Sequence, residues 1–200
     1  MEKMDEKEFF QRLLAISNAG INYSKDPYDI ERFEDIFQIT QEFINSHLTQ
    51  ANLKFEKEAG YPTPKVDVRA LILDENDQIL LVKDALAQTW ALPGGFAEVG
   101  ISPVENIVKE VHEETGLNVA VNNLIAVYDT NKSNPENSLA HYYKLIFYCK
   151  KLSGELTTSL ETSSIAFFNL KDIPELSTRR NTKKQIIECF KNRDQQTLIE

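Results

Sequence analysis

The stretch from Leu92 to Leu117, LPGGFAEVGISPVENIVKEVHEETGL, constrains this chain more than any other because it specifies both ends of one helix. Ser102 is an N-cap residue, Pro103 suits the first helical position, and Glu105 completes an S-x-x-E capping box. Gly116 stands where a helix ends in a left-handed residue. A helix over Pro103 to Thr115 is therefore predicted, with Val104, Ile107, Val108 and Val111 as its buried stripe. Glu110, Glu113 and Glu114 fall at i, i+3 and i+4, so their carboxylates crowd one flank of that stripe. Like charges at this spacing repel by roughly 0.2–0.5 kcal/mol per pair, and Lys109 is the one cation placed nearby to offset them.

A solvated acidic face accounts for many E-x-x-E-E strings. A hard divalent cation is the other way to neutralise the triplet. Mg²⁺ prefers carboxylate oxygens and shares its remaining positions with water and substrate phosphates. The Gly94-Gly95 pair, the cap and the terminal glycine in register favour this second reading. A loop without Cβ atoms lets the backbone approach a metal or phosphate, and the Gly95 carbonyl can serve as a ligand. Glu98, in the same loop, offers a further carboxylate.

Around this segment, 200 residues suffice for one substantial core and a small accessory element. The N-terminal quarter reads as two helices. One covers about Asp5 to Asn18, with Phe9, Leu13, Leu14 and Ile16 as its apolar residues, and stops near Gly20. Pro27 marks a turn, and the second helix runs from about Tyr28 to His47 with Ile30, Phe33, Phe37, Ile44 and Leu48 at helical spacing. So small a hairpin cannot bury its apolar side alone and must pack on the rest of the chain or on a second copy. Residues 1–56 are read as this helical segment, 57–65 as a Gly/Pro-bearing linker, and 66–200 as the main domain.

Strands are expected at Val66–Leu73 and Gln78–Val82, joined by a turn at Asp74–Asp77, then at Val119–Tyr128, Tyr142–Cys149 and Ile165–Phe168. A last helix is expected over Thr182–Asn192. The fold class is α/β with a mixed sheet, and neither GxGxxG nor GxxxxGK[ST] occurs to suggest a dinucleotide fold or P-loop.

Composition narrows the function. The formal charge of −9 and the lack of a basic stripe argue against general nucleic-acid binding. A phosphate-bearing small molecule stays open, since metal charge dominates such a site locally. No run approaches the ~18 apolar residues of a membrane span, and the acidic N-terminus lacks a secretory pattern. A cytoplasmic protein without membrane contact is expected. Cys149 and Cys189 give neither a disulfide framework nor a zinc site, and a bridge between them is disfavoured.

The helix and its loop resemble the Nudix box, G-x5-E-x7-R-E-U-x-E-E-x-G-U, where U is a bulky aliphatic residue. Gly95, Glu110, Val111, Glu113, Glu114, Gly116 and Leu117 match. Ile101 stands where the box has Glu, and Lys109 where it has Arg; Lys keeps the charge but loses the planar fork. Trp90-Ala-Leu-Pro-Gly-Gly looks like the entry to the box, and the resemblance covers about Val66 to Asn192. It implies a Nudix α/β/α sandwich, here preceded by a helical hairpin. The combination is similar to a subgroup acting on X-linked nucleoside diphosphates, of ADP-ribose or CDP-choline pyrophosphatase type, in which the helical segment is associated with dimers.

The resemblance implies Glu110 and Glu114 as principal Mg²⁺ ligands (Mn²⁺ being the alternative ion), with Glu113 direct or through water and the Gly95 carbonyl as a backbone ligand. A homodimeric pyrophosphohydrolase is expected, releasing a nucleoside monophosphate and phosphorylated X. The general base is not legible; Glu161 is the candidate from a later loop.

Other residues keep two readings. Arg69, inside an apolar strand, needs a substrate phosphate or an internal carboxylate. His141 and Tyr142, after the polar loop 129–140, either contact substrate or simply alternate along a strand. His112 reads as a surface residue. The Arg179, Arg180, Lys183, Lys184 cluster is either a solvated helix start or a phosphate trap. Two rival functions share the box: a nucleotide sensor with weak turnover, motivated by Ile101 and Lys109, and a pyrophosphatase for damaged nucleoside triphosphates.

Overall fold

The computed structural model describes residues 5–47, 57–133 and 139–200. It divides into two compact units, Met1–Pro64 with Leu139–His141, and Lys65–Ser138 with Tyr142–Glu200.

The first unit holds α1 (Glu6–Tyr23) and α2 (Pro27–His47). Asp5 caps α1 by accepting from the Glu8 N–H at 2.7 Å, and Asp26 accepts from Tyr28 at 2.8 Å ahead of α2. The expected stop at Gly20 is wrong: α1 runs on to Tyr23. Gly20 serves close packing instead, because a Cβ there would meet the Phe33 ring at 2.3 Å. Phe10 and Phe43 stack across the hairpin at 5.4 Å. The face also differs from the periodicity reading. Phe10, Phe37 and Ile44 are buried, whereas Phe9 and Ile16 are exposed. Leu48 lies outside the described residues. The linker is anchored to α1, since the Asn18 side chain donates to the Glu58 carbonyl at 2.8 Å and accepts its N–H at 3.1 Å.

The second unit contains two sheets. β1 (Lys65–Ile72), β5 (Tyr142–Ser153), β4 (Asn118–Asp129) and β7 (Leu198–Ile199) form one, in the order β1-β5-β4-β7. It is mixed: β1 runs parallel to β5, β5 antiparallel to β4, and β4 parallel to β7. The other sheet is β3 (Trp90–Ala91), β2 (Ile79–Asp84) and β6 (Thr162–Phe168). The two-residue β3 and β7 and the short α4 (Thr130–Ser133), which begins inside the expected polar loop, are too brief to show a periodicity.

Alternation along β1 sends its two faces into two cores. Val68, Ala70 and Ile72 pack with Ile107 and Val111 of α3 (Pro103–Thr115). Leu71 packs with Ile186 and Cys189 of α5 (Lys183–Asn192). This gives helix, sheets, helix, the α/β/α layering that the resemblance implies. Cys149 and Cys189 are both free and buried, and burial pushes each thiol up to about 12.

Candidate active site

α3 has the boundaries its caps predict. The Ser102 hydroxyl accepts from the Glu105 N–H at 3.2 Å, Glu105 accepts from the Ser102 N–H at 2.8 Å, and Gly116 ends the helix at φ 74°. The stripe is narrower than expected: Ile107 and Val111 are buried but Val104, in the first turn of α3, is 46% exposed.

Residues 93–97 run along β1 as an extra edge. Ala70 donates to the Pro93 carbonyl at 2.9 Å, Val68 to Gly95 at 2.8 Å, and Ala97 to Val66 at 2.9 Å. Gly94 takes φ 133°, and a Cβ there would sit 2.1 Å from the Val68 carbonyl oxygen. The closest approach at Gly94 is thus to β1. At Gly95 it is to a carboxylate: a Cβ would meet Glu110 Oε2 at 2.7 Å. The two glycines let the loop fit between β1 and the acidic flank of α3.

Glu114 is buried and accepts from the Gly94 N–H at 2.8 Å. Burial raises its pKa; the Gly94 hydrogen bond and the charges of Arg69 and Arg180 oppose that rise, and Glu161 adds to it. Glu110 is pushed up to about 7, first by burial and next by Glu114 beside it, against the pull of Arg69. Glu113 differs. It is solvent-exposed and lies 3.6 Å from Lys109. Lys109 also bridges to Glu98 at 2.5 Å, so Lys in the arginine position of the box still ties two carboxylates.

Arg69 has an internal partner. Its Nε and Nη2 reach Asp67 Oδ1 at 3.0 and 2.9 Å, and its Nη1 donates to the Leu92 carbonyl at 3.3 Å. Lys144 stands 3.9 Å from the same carboxylate and is 1% exposed; burial draws its pKa down to about 8. It also donates to the Arg180 carbonyl. Arg180 in turn grips Asp84 at 2.5 Å, and that carboxylate is held below its usual range first by the Ala87 N–H. Arg180 is thus held by Asp84 and its charge reaches Glu114, so it is not part of a merely solvated helix start.

Glu161 sits in a turn tied to α3, because the neighbouring Thr162 hydroxyl donates to the Glu114 carbonyl at 3.0 Å. Tyr142 stacks on Phe96 at 5.1 Å and 16° between planes. His141 falls in the first unit. His112 is exposed, as expected. Asp67, Lys144 and Phe96 were missed. Asp67 was legible as the i−2 neighbour of Arg69 on one strand face, and Lys144 carried the same signal as Arg69, a cation within an apolar strand. Phe96 carried none.

Gly95, the half-buried Glu110 and the buried Glu114 form a cradle with acidic oxygens on one side and no Cβ to fill it. Among the described residues, no three His, Cys, Asp or Glu side chains converge closely enough to hold a metal by themselves. The donor set fits a hard cation that keeps much of its water, such as Mg²⁺.

Comparison with known proteins agrees with this geometry. A NUDIX domain model matches residues 63–190, and a model described as "UDP-X-like, N-terminal oligomerisation domain" matches residues 7–56. A Bacillus subtilis (strain 168) protein named "Putative ADP-ribose pyrophosphatase YjhB" is 40% identical over 185 residues, covering 90% of this chain and 88% of that protein. The crystal structure of a UDP-X diphosphatase aligns with TM-score 0.66 and 36% identity over 96% of this chain and 97% of its own. An ADP-ribose pyrophosphatase from Streptococcus suis 89-1591 aligns with TM-score 0.63 and 37% identity over 69% and 100%. With its box helix, its sandwich and its relatives in agreement, this chain belongs to the Nudix hydrolase family.

Proposed function

We propose that this hydrolase splits the pyrophosphate of a nucleoside diphosphate linked to a second group, of the ADP-ribose, UDP-X or CDP-choline kind, in the cytoplasm and as a homodimer. The observation that carries this reading is the cradle of Glu110 and Glu114 against Gly94 and Gly95. The free, buried thiols suit a reducing compartment, and no described helix is long and apolar enough to cross a membrane. The dimer is supported by the match of the hairpin to an oligomerisation model.

Glu110 and Glu114 would hold the divalent ion, with Glu113 joining through water; the Gly95 carbonyl accepts from Val68 and would offer the ion only its second lone pair. The bound ion neutralises phosphate charge and lowers the pKa of attacking water. The Gly94 N–H fixes one Glu114 oxygen, leaving the other free to turn toward the cradle. Arg69, buried and held by Asp67, acts through its field, which favours the ionised Glu110 and Glu114. Glu161 is the base, its charge felt by Glu114 from a separate turn. Arg180 offers a guanidinium to the leaving phosphate, and Tyr142 lies on the substrate side. His141 takes no part in this reading.

The test is a panel of ADP-ribose, UDP-sugars, CDP-choline and nucleoside triphosphates with Mg²⁺, Mn²⁺ or chelator. Metal-dependent release of a nucleoside monophosphate is expected, with Glu114→Gln slower by roughly 10³-fold. Release of pyrophosphate from triphosphates alone would favour the triphosphate enzyme. Metal-independent binding without turnover would favour the sensor, although the retained Lys109 pairs with Glu98 and Glu113 leave that reading little support.

A further inference from the structure

Phe96 directly follows Gly95, yet it is 63% exposed. One face of its ring lies nearly parallel to Tyr142 at 5.1 Å. The backbone under both rings is fixed. Val68 and Val66 bond to Gly95 and Ala97 on either side of Phe96. The Thr130 hydroxyl donates to the Tyr142 carbonyl at 3.0 Å and accepts its N–H at 3.1 Å. The backbone that carries the stack is thus held in place before any ligand arrives.

Register locates it. Phe96 pairs with Asp67, and Asp67 pairs with Lys144, two residues beyond Tyr142. Paired residues point to the same sheet face, so Phe96, Tyr142, Asp67, Arg69 and Lys144 share a face opposite the one packed on α3. Arg69 and Lys144 both lie against Asp67 on this face, which places two cations beneath the rings and suits a phosphate-bearing ligand. Gly95, against the Glu110 carboxylate, is one residue away, about 3.8 Å along the chain.

We propose that Phe96, braced from behind by Tyr142, is the stacking platform for the nucleobase, a role that rests on the nucleoside diphosphate reading above. Every nucleobase presents a π-face and a phenyl ring offers no hydrogen bond, so the platform supplies affinity without choosing the base. Base selection then falls to other groups.

The experiment is calorimetric binding of AMP, UMP and CMP, with Mn²⁺ alone as control, to the full chain and to Phe96→Ala, Phe96→Trp and Tyr142→Leu. Phe96→Ala should weaken all three nucleotides by about 5- to 100-fold while Mn²⁺ affinity holds. Phe96→Trp should restore binding and add a fluorophore that nucleotide quenches, and Tyr142→Leu should give a smaller loss. Unchanged nucleotide affinity in Phe96→Ala, or parallel loss of nucleotide and Mn²⁺, overturns the platform alone. A wild-type protein that binds no nucleotide overturns the diphosphate reading and the platform with it.

Discussion

The helical hairpin and the sandwich differ in how fully they enclose their apolar side chains. In the sandwich, Val68, Leu71, Leu81, Ile107 and Ile146 are wholly enclosed, and among the described residues charge is buried only around Asp67, Arg69, Lys144 and Glu114. In the hairpin, small polar residues share the interior: Ser17, Asn18 and Thr40 are buried while Ile16 is 57% and Ile39 65% exposed. Ser17 and Thr40 satisfy themselves by donating to carbonyls four residues back, which lets the helices pack closely with little apolar burial. The sandwich has a core of its own. The hairpin carries more apolar surface than it covers, as a segment matching an oligomerisation model should.

The sharpest way to break this comparison is the same substitution in each region. Gly94→Ala places a Cβ on the Val68 backbone at a φ open only to glycine. It should cost about 3 kcal/mol or more. Gly20→Ala meets only the Phe33 ring, and overpacking of about 1–3 kcal/mol is offset by roughly 1 kcal/mol of helix propensity. Equal losses in chemical denaturation would contradict the view that the hairpin is the more yielding region.

Next in size is a pH effect confined to the sandwich. With its folded pKa near 7, above the ordinary 4.5, Glu110 binds a proton in the folded state that the unfolded chain has released. The metal-free protein therefore keeps this stability below about pH 4.5 and loses it as pH rises through 7, by about 1–2 kcal/mol because solvent screens this half-exposed group. Mg²⁺ should raise the melting temperature more at pH 8 than at pH 5.5, and Glu110→Gln should flatten the dependence. A metal-free melting temperature that climbs from pH 5.5 to 8 only in wild type would refute the assignment.

The smallest effect on folding, and the clearest on assembly, belongs to the hairpin. Ile16→Glu with Ile39→Glu removes exposed apolar side chains, so stability should change by less than about 0.5 kcal/mol per site. If the proposed homodimer forms through this face, sedimentation should show it shifting to monomer at micromolar concentration. A dimer unchanged by both substitutions would place the interface elsewhere.

The site was legible to an uneven degree. Glu110 and Glu114 could be read because helical spacing puts them on one flank, and they are where that spacing says. Glu113 shares the spacing but turns to Lys109 and solvent. Arg69 announced its need for a partner without naming it. Asp67 was two residues away on the same strand face, whereas the Leu92 carbonyl reaches Arg69 from a loop and Lys144 reaches Asp67 through the β1–β5 pairing. Gly20 misled because glycine signals either a helix end or a close contact, and only Phe33, thirteen residues on, distinguishes them.

What the sequence determined by itself is α3: both ends, the capping box and the acidic flank, since caps and i, i+4 neighbours lie within one or two turns of the chain. Tertiary structure alone decided which carboxylates are enclosed, that Phe96 meets Tyr142, and that Arg180 and Glu161 flank Glu114. Those relations join residues dozens of positions apart through strand register and loop anchoring, and register is set by the whole sheet rather than by any short stretch within it.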